Sequence, residues 1–298
     1  MDRASEQLFL RVVETGSLKA AAEQIGADPS AVSRKIAGLE QRLGVKLLQR
    51  STKRSTPTEA GEQYYRGMRQ LVDAQASLEA EVTGMVDTPT GLLRVTAPVD
   101  FGARFVTPVL SDLQEDYPDL CVELLLGSSF SDLREQGIDV AVRIGQLPDS
   151  SLIARRLGAV PRVLVASPDY LSRHGAPSDP EELSDHRFVF YRPGQRDEKI
   201  TLQQGDATKS ITVSGSFSAN SITAIRALVV AGRGIHLGPH WAFEKEIASG
   251  EVVCLFENFQ LPAYPLHTLY IAGGFVPAKV RTFIDRMAKA VRQSLVLD

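Results

Sequence analysis

Apolar side chains recur at helical steps through the first 85 residues, then give way to strand-like runs. In MDRASEQLFLRVVETG, charges interrupt the apolar face, which predicts an amphipathic helix and no signal peptide. Gly16 ends that helix and Ser17 caps the next. Asp28-Pro29 then opens a third, Asp as the cap and Pro at the first helical position. Ala22 is small enough for the second and third helices to approach, and Gly26 permits the sharp turn between them. Val32 and Ile36 anchor the third helix, Leu39 and Leu43 extend its buried stripe, and Gly44 closes it. Residues 45–49 read as a short strand, followed by a polar, cationic tip of Arg50, Ser51, Thr52, Lys53 and Arg54.

This order of helix, turn, helix and basic wing predicts binding to duplex DNA. The third helix turns Pro29, Ser30, Ser33 and Arg34 away from Val32 and Ile36. A guanidinium at position 34 can donate twice to guanine O6 and N7, and Ser33 can reach a base or a phosphate. The tip suits phosphates or a minor groove; the alternative reading is a solvated turn. From Thr58 to about Met85 the pattern predicts one long helix. Tyr64, Met68, Leu71, Leu78, Val82 and Met85 repeat on it at three- and four-residue steps, an apolar seam for the same helix of a second copy. Residues 87–91 read as a hinge.

The N-terminal segment resembles the DNA-binding domain of LysR-type transcriptional regulators. The family wording stands here as Gly16-Ser17, Ala21-Ala22, Pro29-Ser30, Val32-Ser33-Arg34, Leu39-Glu40, Leu43-Gly44, Arg50 and Thr58-Glu59-Ala60-Gly61. Pro57 departs from it, since Leu usually precedes the last four.

After Gly91 the runs LLRVTAP, VTPVLSDLQEDYP, LCVELLLG and IDVAVRIG alternate strand and helix, which predicts a parallel sheet covered by helices. A second block starts near Val163, and PAKVRTFIDRMAKAVRQSL supplies a closing amphipathic helix. The resemblance continues through GLLRVTAP, DVAVRIG, VASPDYLSRHG, AGRGI and VPAKVRTFID. It implies an α/β protein: a winged helix-turn-helix over 1–58, a linker helix over 59–86, and a two-lobed effector-binding domain of the type-2 periplasmic-binding-protein fold over 92–298. On that frame 92–162 and 268–298 form one lobe and 163–267 the other. A bacterial, cytoplasmic homodimer or homotetramer on a dyad site in double-stranded DNA is implied as well.

Charge sharpens the division. The net charge is -3, yet residues 1–60 hold ten lysines and arginines against seven acidic residues, and the rest 23 against 29. The nucleic-acid surface is therefore expected at the N-terminus. Cys121 and Cys254 both sit in apolar runs and read as buried, reduced thiols. No apolar run approaches the roughly 20 residues that span a bilayer.

Helix N-termini at the carboxyl ends of strands predict the ligand cleft. Three junctions qualify: Ala97-Pro98-Val99-Asp100-Phe101-Gly102, Ser128-Ser129-Phe130-Ser131 and Ala219-Asn220-Ser221. Arg143, Ser167, Tyr191, Arg192, His236 and Pro239 also follow strand-like runs. Hydroxyls, an amide, cations and aromatic rings suit a small organic anion, a carboxylate in particular. Two readings stand for several of these: Arg143 as a structural ion pair or an effector contact, Arg192 as a solvated loop residue or a ligand selector, His236 as a core histidine or a ligand contact. Each serine reads equally as a plain helix cap. His236, His240 and Glu244 have metal-face spacing, but Gly238-Pro239 breaks the helix that would carry them, so no metal or other cofactor is expected. No nucleophile elbow or acid–base pair of carboxylates declares an enzyme.

Overall fold

The computed structural model describes residues 3–50, 55–83, 88–127, 133, 137–149, 152–271 and 276–294. The chain divides into two compact units, one mainly Met1–Pro89 and the other mainly Thr90–Leu133, Ile138–Ala272 and Lys279–Asp298.

The first unit runs α1 (Arg3–Thr15), α2 (Leu18–Gln24), α3 (Pro29–Leu43), β1 (Leu48–Arg50), β2 (Ser55–Pro57) and α4 (Glu59–Thr83). Its helix ends follow the sequence signals. Ser17 accepts from the Ala20 N–H and Asp28 from the Ser30 N–H, while Gly44 takes the left-handed conformation at φ 71°. Gly26, in the turn between α2 and α3, is left-handed too, at φ 64°. Phe9, Val12, Ala21, Ala22, Val32, Ile36, Leu39 and Leu47 form the core, joined by Tyr65 and Met68 from α4. The expected seam on α4 is therefore divided. Met68 is buried in this core and Tyr64 packs against it, because the first turns of α4 cover α1. Leu71 and Leu78 stay exposed, at 56% and 45%. The Val82 side chain and Met85 lie outside the described residues.

The second unit opens with β3 (Gly91–Ala97) and a continuous helical run: α5 (Val99–Phe101), a π turn (Gly102–Val106) and α6 (Thr107–Asp116). β4 (Leu120–Leu126), β5 (Val140–Ile144) and β6 (Leu152–Val160) follow. Next come β7 (Arg162–Ala166), α7 (Pro168–His174), β8 (Arg187–Phe190), β9 (Asp197–Gln204), β10 (Ala207–Ser218), α8 (Ile222–Val230), β11 (His236–Pro239), α9 (Glu244–Ser249) and β12 (Val253–Leu255). β13 (Tyr264–Ile271) and α10 (Ala278–Ser294) complete it. One lobe is a five-stranded sheet in the order β4-β3-β5-β13-β6, with β3 parallel to β4 and β5 and β13 antiparallel to β5 and β6. The other combines the sheets β11-β7-β12 and β8-β10-β9, joined by the parallel bridge Phe188–Ile235. A further bridge, Gln203–Gln260, brings the edge strand β9 back to the chain leaving β12. The sheet thus curls round a core that includes Leu164, Phe188, Phe190, Ile200, Leu202, Val213 and Leu237.

The chain leaves the first lobe at Pro161 and re-enters it at Tyr264, where β13 already pairs with Val160. Residues 264–267, expected in the second lobe, belong to the first sheet for that reason. The expectation for the cysteines is corrected: Cys121 is exposed and Cys254 half-buried. Both lie on edge strands, β4 and β12, where alternate residues face out and no further strand covers them. Gly91, expected in the hinge, is the first residue of β3, at φ 77°. Among the described residues no helix is long and apolar enough to cross a membrane.

Candidate nucleic-acid interface and ligand cleft

Helix α3 buries Val32, Ile36, Leu39 and Glu40, so its opposite face is set by packing on α1 and α2. Pro29, Ser30 and Arg34 are exposed on that face and Ser33 is half-buried. Asp28 holds the start of the helix, its Oδ1 accepting from the Ser30 N–H at 2.7 Å. Hydrogen bonding to Ser30, with help from the nearby Arg34 charge, keeps its carboxyl below the ordinary carboxylate range. Arg50 ends β1, but its side chain, like Ser51, Thr52, Lys53 and Arg54, lies outside the described residues.

Glu40, Thr58 and Gly61, to which sequence reasoning assigned no mechanical role, hold the wing in place. Glu40 is only 3% exposed. Its Oε1 accepts from the Leu47 and Leu48 N–H groups at 2.9 and 3.1 Å, and its Oε2 from Lys46 Nζ at 2.8 Å. Burial pushes this carboxyl up, but the hydrogen bonds from Lys46, Leu48 and Leu47 outweigh it and hold the group below its ordinary value. Thr58 Oγ1 donates to the Lys46 carbonyl at 2.6 Å and accepts from the Gly61 N–H at 3.0 Å, capping α4. Gly61 lets that helix lie directly on the wing: a Cβ there would fall 1.9 Å from the Leu47 carbonyl oxygen. The Leu39-Glu40 and Thr58-Gly61 wordings are thus one mechanical assembly. Pro57 pairs with Leu48 at the end of β2.

In the second unit, the loops at the ends of β3, β8, β10 and β11 carry most of the expected ligand contacts, and several are already committed. Asp100 reaches from one lobe to the other. Its carboxylate accepts from the Ile222 N–H at 2.7 Å, the Thr223 N–H at 3.1 Å and the Thr223 hydroxyl at 2.5 Å. Ser221 caps the same helix by accepting from the Ala224 N–H. The start of α8, expected to offer open donors, is therefore satisfied by the chain itself. Asn220 beside it is exposed.

Beyond Asp100, Ala97 and Phe101 are buried, Pro98 and Val99 half-buried, and Gly102 begins the π turn. Phe101 and Phe105 meet Trp241 of the other lobe edge to face, at centroid distances of 6.2 and 5.4 Å. Arg104 donates to the Trp241 carbonyl and to Glu244 Oε2, each at 2.6 Å. This second strap escaped sequence reasoning, because Arg104 and Trp241 lie far apart in the chain. Ser128, Ser129, Phe130 and Ser131 lie outside the described residues.

Ser167 is buried and caps α7, accepting from the Tyr170 N–H at 3.2 Å. Arg143 is buried and donates to its neighbour's carbonyl, Val142 O, at 2.9 Å; desolvation lowers its pKa to about 10, so it stays charged at neutrality. His236, read either as a core histidine or as a ligand contact, is neutral, since burial lowers its pKa to about 4. Its Nδ1 lies 2.7 Å from the Val189 carbonyl and therefore carries the proton. Pro239 is buried at the end of β11, Tyr191 is half-buried and Arg192 exposed. Burial, and after it the Asp100 charge, pushes the Tyr191 phenol up. His240 pairs with Glu244 at 3.8 Å.

Residues 6–62 match the family described as bacterial regulatory helix-turn-helix protein, lysR family, and residues 87–292 match the LysR substrate binding domain. The HTH-type transcriptional regulator CrgA of Neisseria meningitidis serogroup C (strain 8013) is 33% identical over 300 residues, covering 99% of each chain. The HTH-type transcriptional activator AaeR of Escherichia coli K12 is 35% identical, covering 94% of this chain and 91% of that one. Among solved structures, the full-length Vibrio cholerae virulence activator AphB has 32% identity and a TM-score of 0.58, covering 97% of this chain and 99% of that one. CrgA of N. meningitidis has 30% identity and a TM-score of 0.59, covering 97% and 98%.

Proposed function

The chain belongs to the LysR family and is a DNA-binding transcriptional regulator with an effector-binding domain, and we propose that a homodimer or homotetramer of it reads a dyad site in double-stranded DNA while a small organic effector seated between the lobes alters that binding. The observation that carries the reading is α3: one face locked into the core, the other presenting Pro29, Ser30 and Arg34 to solvent. A recognition helix needs this pairing of a rigid seat and a free N-terminal turn. Leu71 and Leu78, exposed at a seven-residue interval on α4, supply the apolar stripe that a second copy's helix covers. The protein would act in the bacterial cytoplasm, where its DNA lies.

Footprinting and titration on the cognate site test the head. Arg34→Ala should cost about 1–3 kcal/mol on cognate DNA and relax sequence preference. Lys53→Ala should weaken every sequence alike and flatten the salt slope by about one unit. Equal losses on cognate and random DNA for Arg34→Ala would remove the base-reading role.

The effector side rests on how the lobes hold each other. An effector works only through a different affinity for the lobe arrangements, so the straps set the equilibrium it must shift. Asp100→Ala should destabilise the second unit by about 1–2 kcal/mol, since α8 loses both amide partners and a favourable charge at its N-terminus. Hydrogen exchange should speed up at Ile222 and Thr223 while β3 and β5 stay protected. Unchanged exchange in α8 would show that Asp100 is not the strap.

A further inference from the structure

The following inference rests on the effector reading and deepens it. An anion entering the cleft finds the start of α8 already filled by Asp100 and Ser221. Arg162 is differently placed. It opens β7 directly after the outgoing crossover, and its Nη1 donates to the carbonyl of Pro262, beside the returning one, at 3.4 Å. Its guanidinium carbon lies 4.1 Å from the centre of the Tyr264 ring. The side chain is only 10% exposed. Nε and Nη2 are buried and make no hydrogen bond. Among the described residues, no other arginine or lysine buries a side-chain nitrogen in that condition.

Glu198 is the nearest carboxylate, with its Oε1 3.7 Å from Nη2, and its Oε2 already accepts from Gln195 at 3.0 Å. Burial pushes the Tyr264 phenol up, and the Arg162 charge is the main effect opposing it. A buried guanidinium with two donors unmet is costly unless something meets them. Nε and Nη2 point along one edge of the guanidinium, the fork that matches a carboxylate's two oxygens. The Glu198 charge beside the fork would disfavour any anion there, a dianion more than a monoanion.

We propose that the Nε–Nη2 edge of Arg162 is the anion seat of the cleft and takes the carboxylate of a small organic monoacid in a bidentate pair. Acetate is the probe, with acetamide as the neutral control, in thermal-shift and calorimetric titrations of the full-length protein at constant ionic strength. Acetate should stabilise the wild-type protein and acetamide should not. Arg162→Gln should lose about tenfold or more in acetate affinity, as expected for a charge-assisted pair. Arg162→Lys should keep the charge but lose the fork, and fall between. Glu198→Gln should bind acetate more tightly than wild type, which preserves the test if Arg162→Gln fails to fold. An equal acetate response in wild type and Arg162→Gln overturns the seat, as does no response in both wild type and Glu198→Gln. Acetate binding that depends on Arg162, with no compound able to change the DNA footprint, keeps the seat and sinks the effector reading. A neutral compound that shifts the footprint equally in wild type and Arg162→Gln does the reverse.

Discussion

Gly61→Ala is expected to unfold the winged module or lower its stability by about 3 kcal/mol or more, the upper range for overpacking. The added Cβ would sit 1.9 Å from the Leu47 carbonyl oxygen and 2.9 Å from its carbon. Both atoms are backbone, and neither is free to retreat. The same oxygen accepts from the Thr58 N–H at 2.9 Å, and the Leu47 N–H is held by Glu40. Relief therefore means lifting α4 off β1 or breaking the wing. Hydrogen exchange should accelerate across α1, α2 and α3 while the five-stranded sheet of the second unit keeps its protection, and cognate DNA binding should be lost. Normal protection of α3 in this variant would refute the close-packing account.

Glu40→Ala should have a comparable effect, roughly 2–4 kcal/mol, because two buried wing amides lose the acceptor they share. The pH dependence follows from the depressed carboxyl. Its stabilisation is fully present above the ordinary value of 4.5 and is lost as pH falls through the lower folded value. Acid should thus loosen the wing of the wild-type protein below about pH 4.5, whereas in Glu40→Gln this contribution is missing at every pH. Following the Leu47 and Leu48 amide signals by NMR through an acid titration checks it. Identical titrations in the two proteins would show that Glu40 does not anchor the wing.

Local signals were the ones that could be read from the sequence. Ser17, Asp28-Pro29 and Gly44 act on their own helix ends, so their residue types and spacing announce them. The alternation of strands and helices likewise announced the parallel part of the five-stranded sheet. What stayed hidden depends on partners distant in the chain. Glu40 looks like any surface acid of an amphipathic helix until the wing folds back over it. Asp100 and Arg104 gain their meaning from α8 and from Trp241, more than a hundred residues on. Cys121 misled because an apolar run does not say whether its strand lies inside a sheet or at its edge. Met68 misled in the opposite sense, since a seam pattern cannot say which of two surfaces will cover it. Arg162 had no motif at all, being one arginine at the start of a strand until both crossovers meet around it.

The π turn at Gly102–Val106 is, in effect, one residue added to an otherwise uninterrupted α-helix. Excising one residue there would restore regular winding and leave Asp100 and Phe101 nearly in phase with the helix that follows, because a π turn takes up one residue more than an α turn. The extra residue therefore widens the one turn that carries Arg104 and Phe105 to Trp241. A single-codon deletion within 102–106 would tighten that turn and shift Arg104 while Asp100 kept its hold on α8.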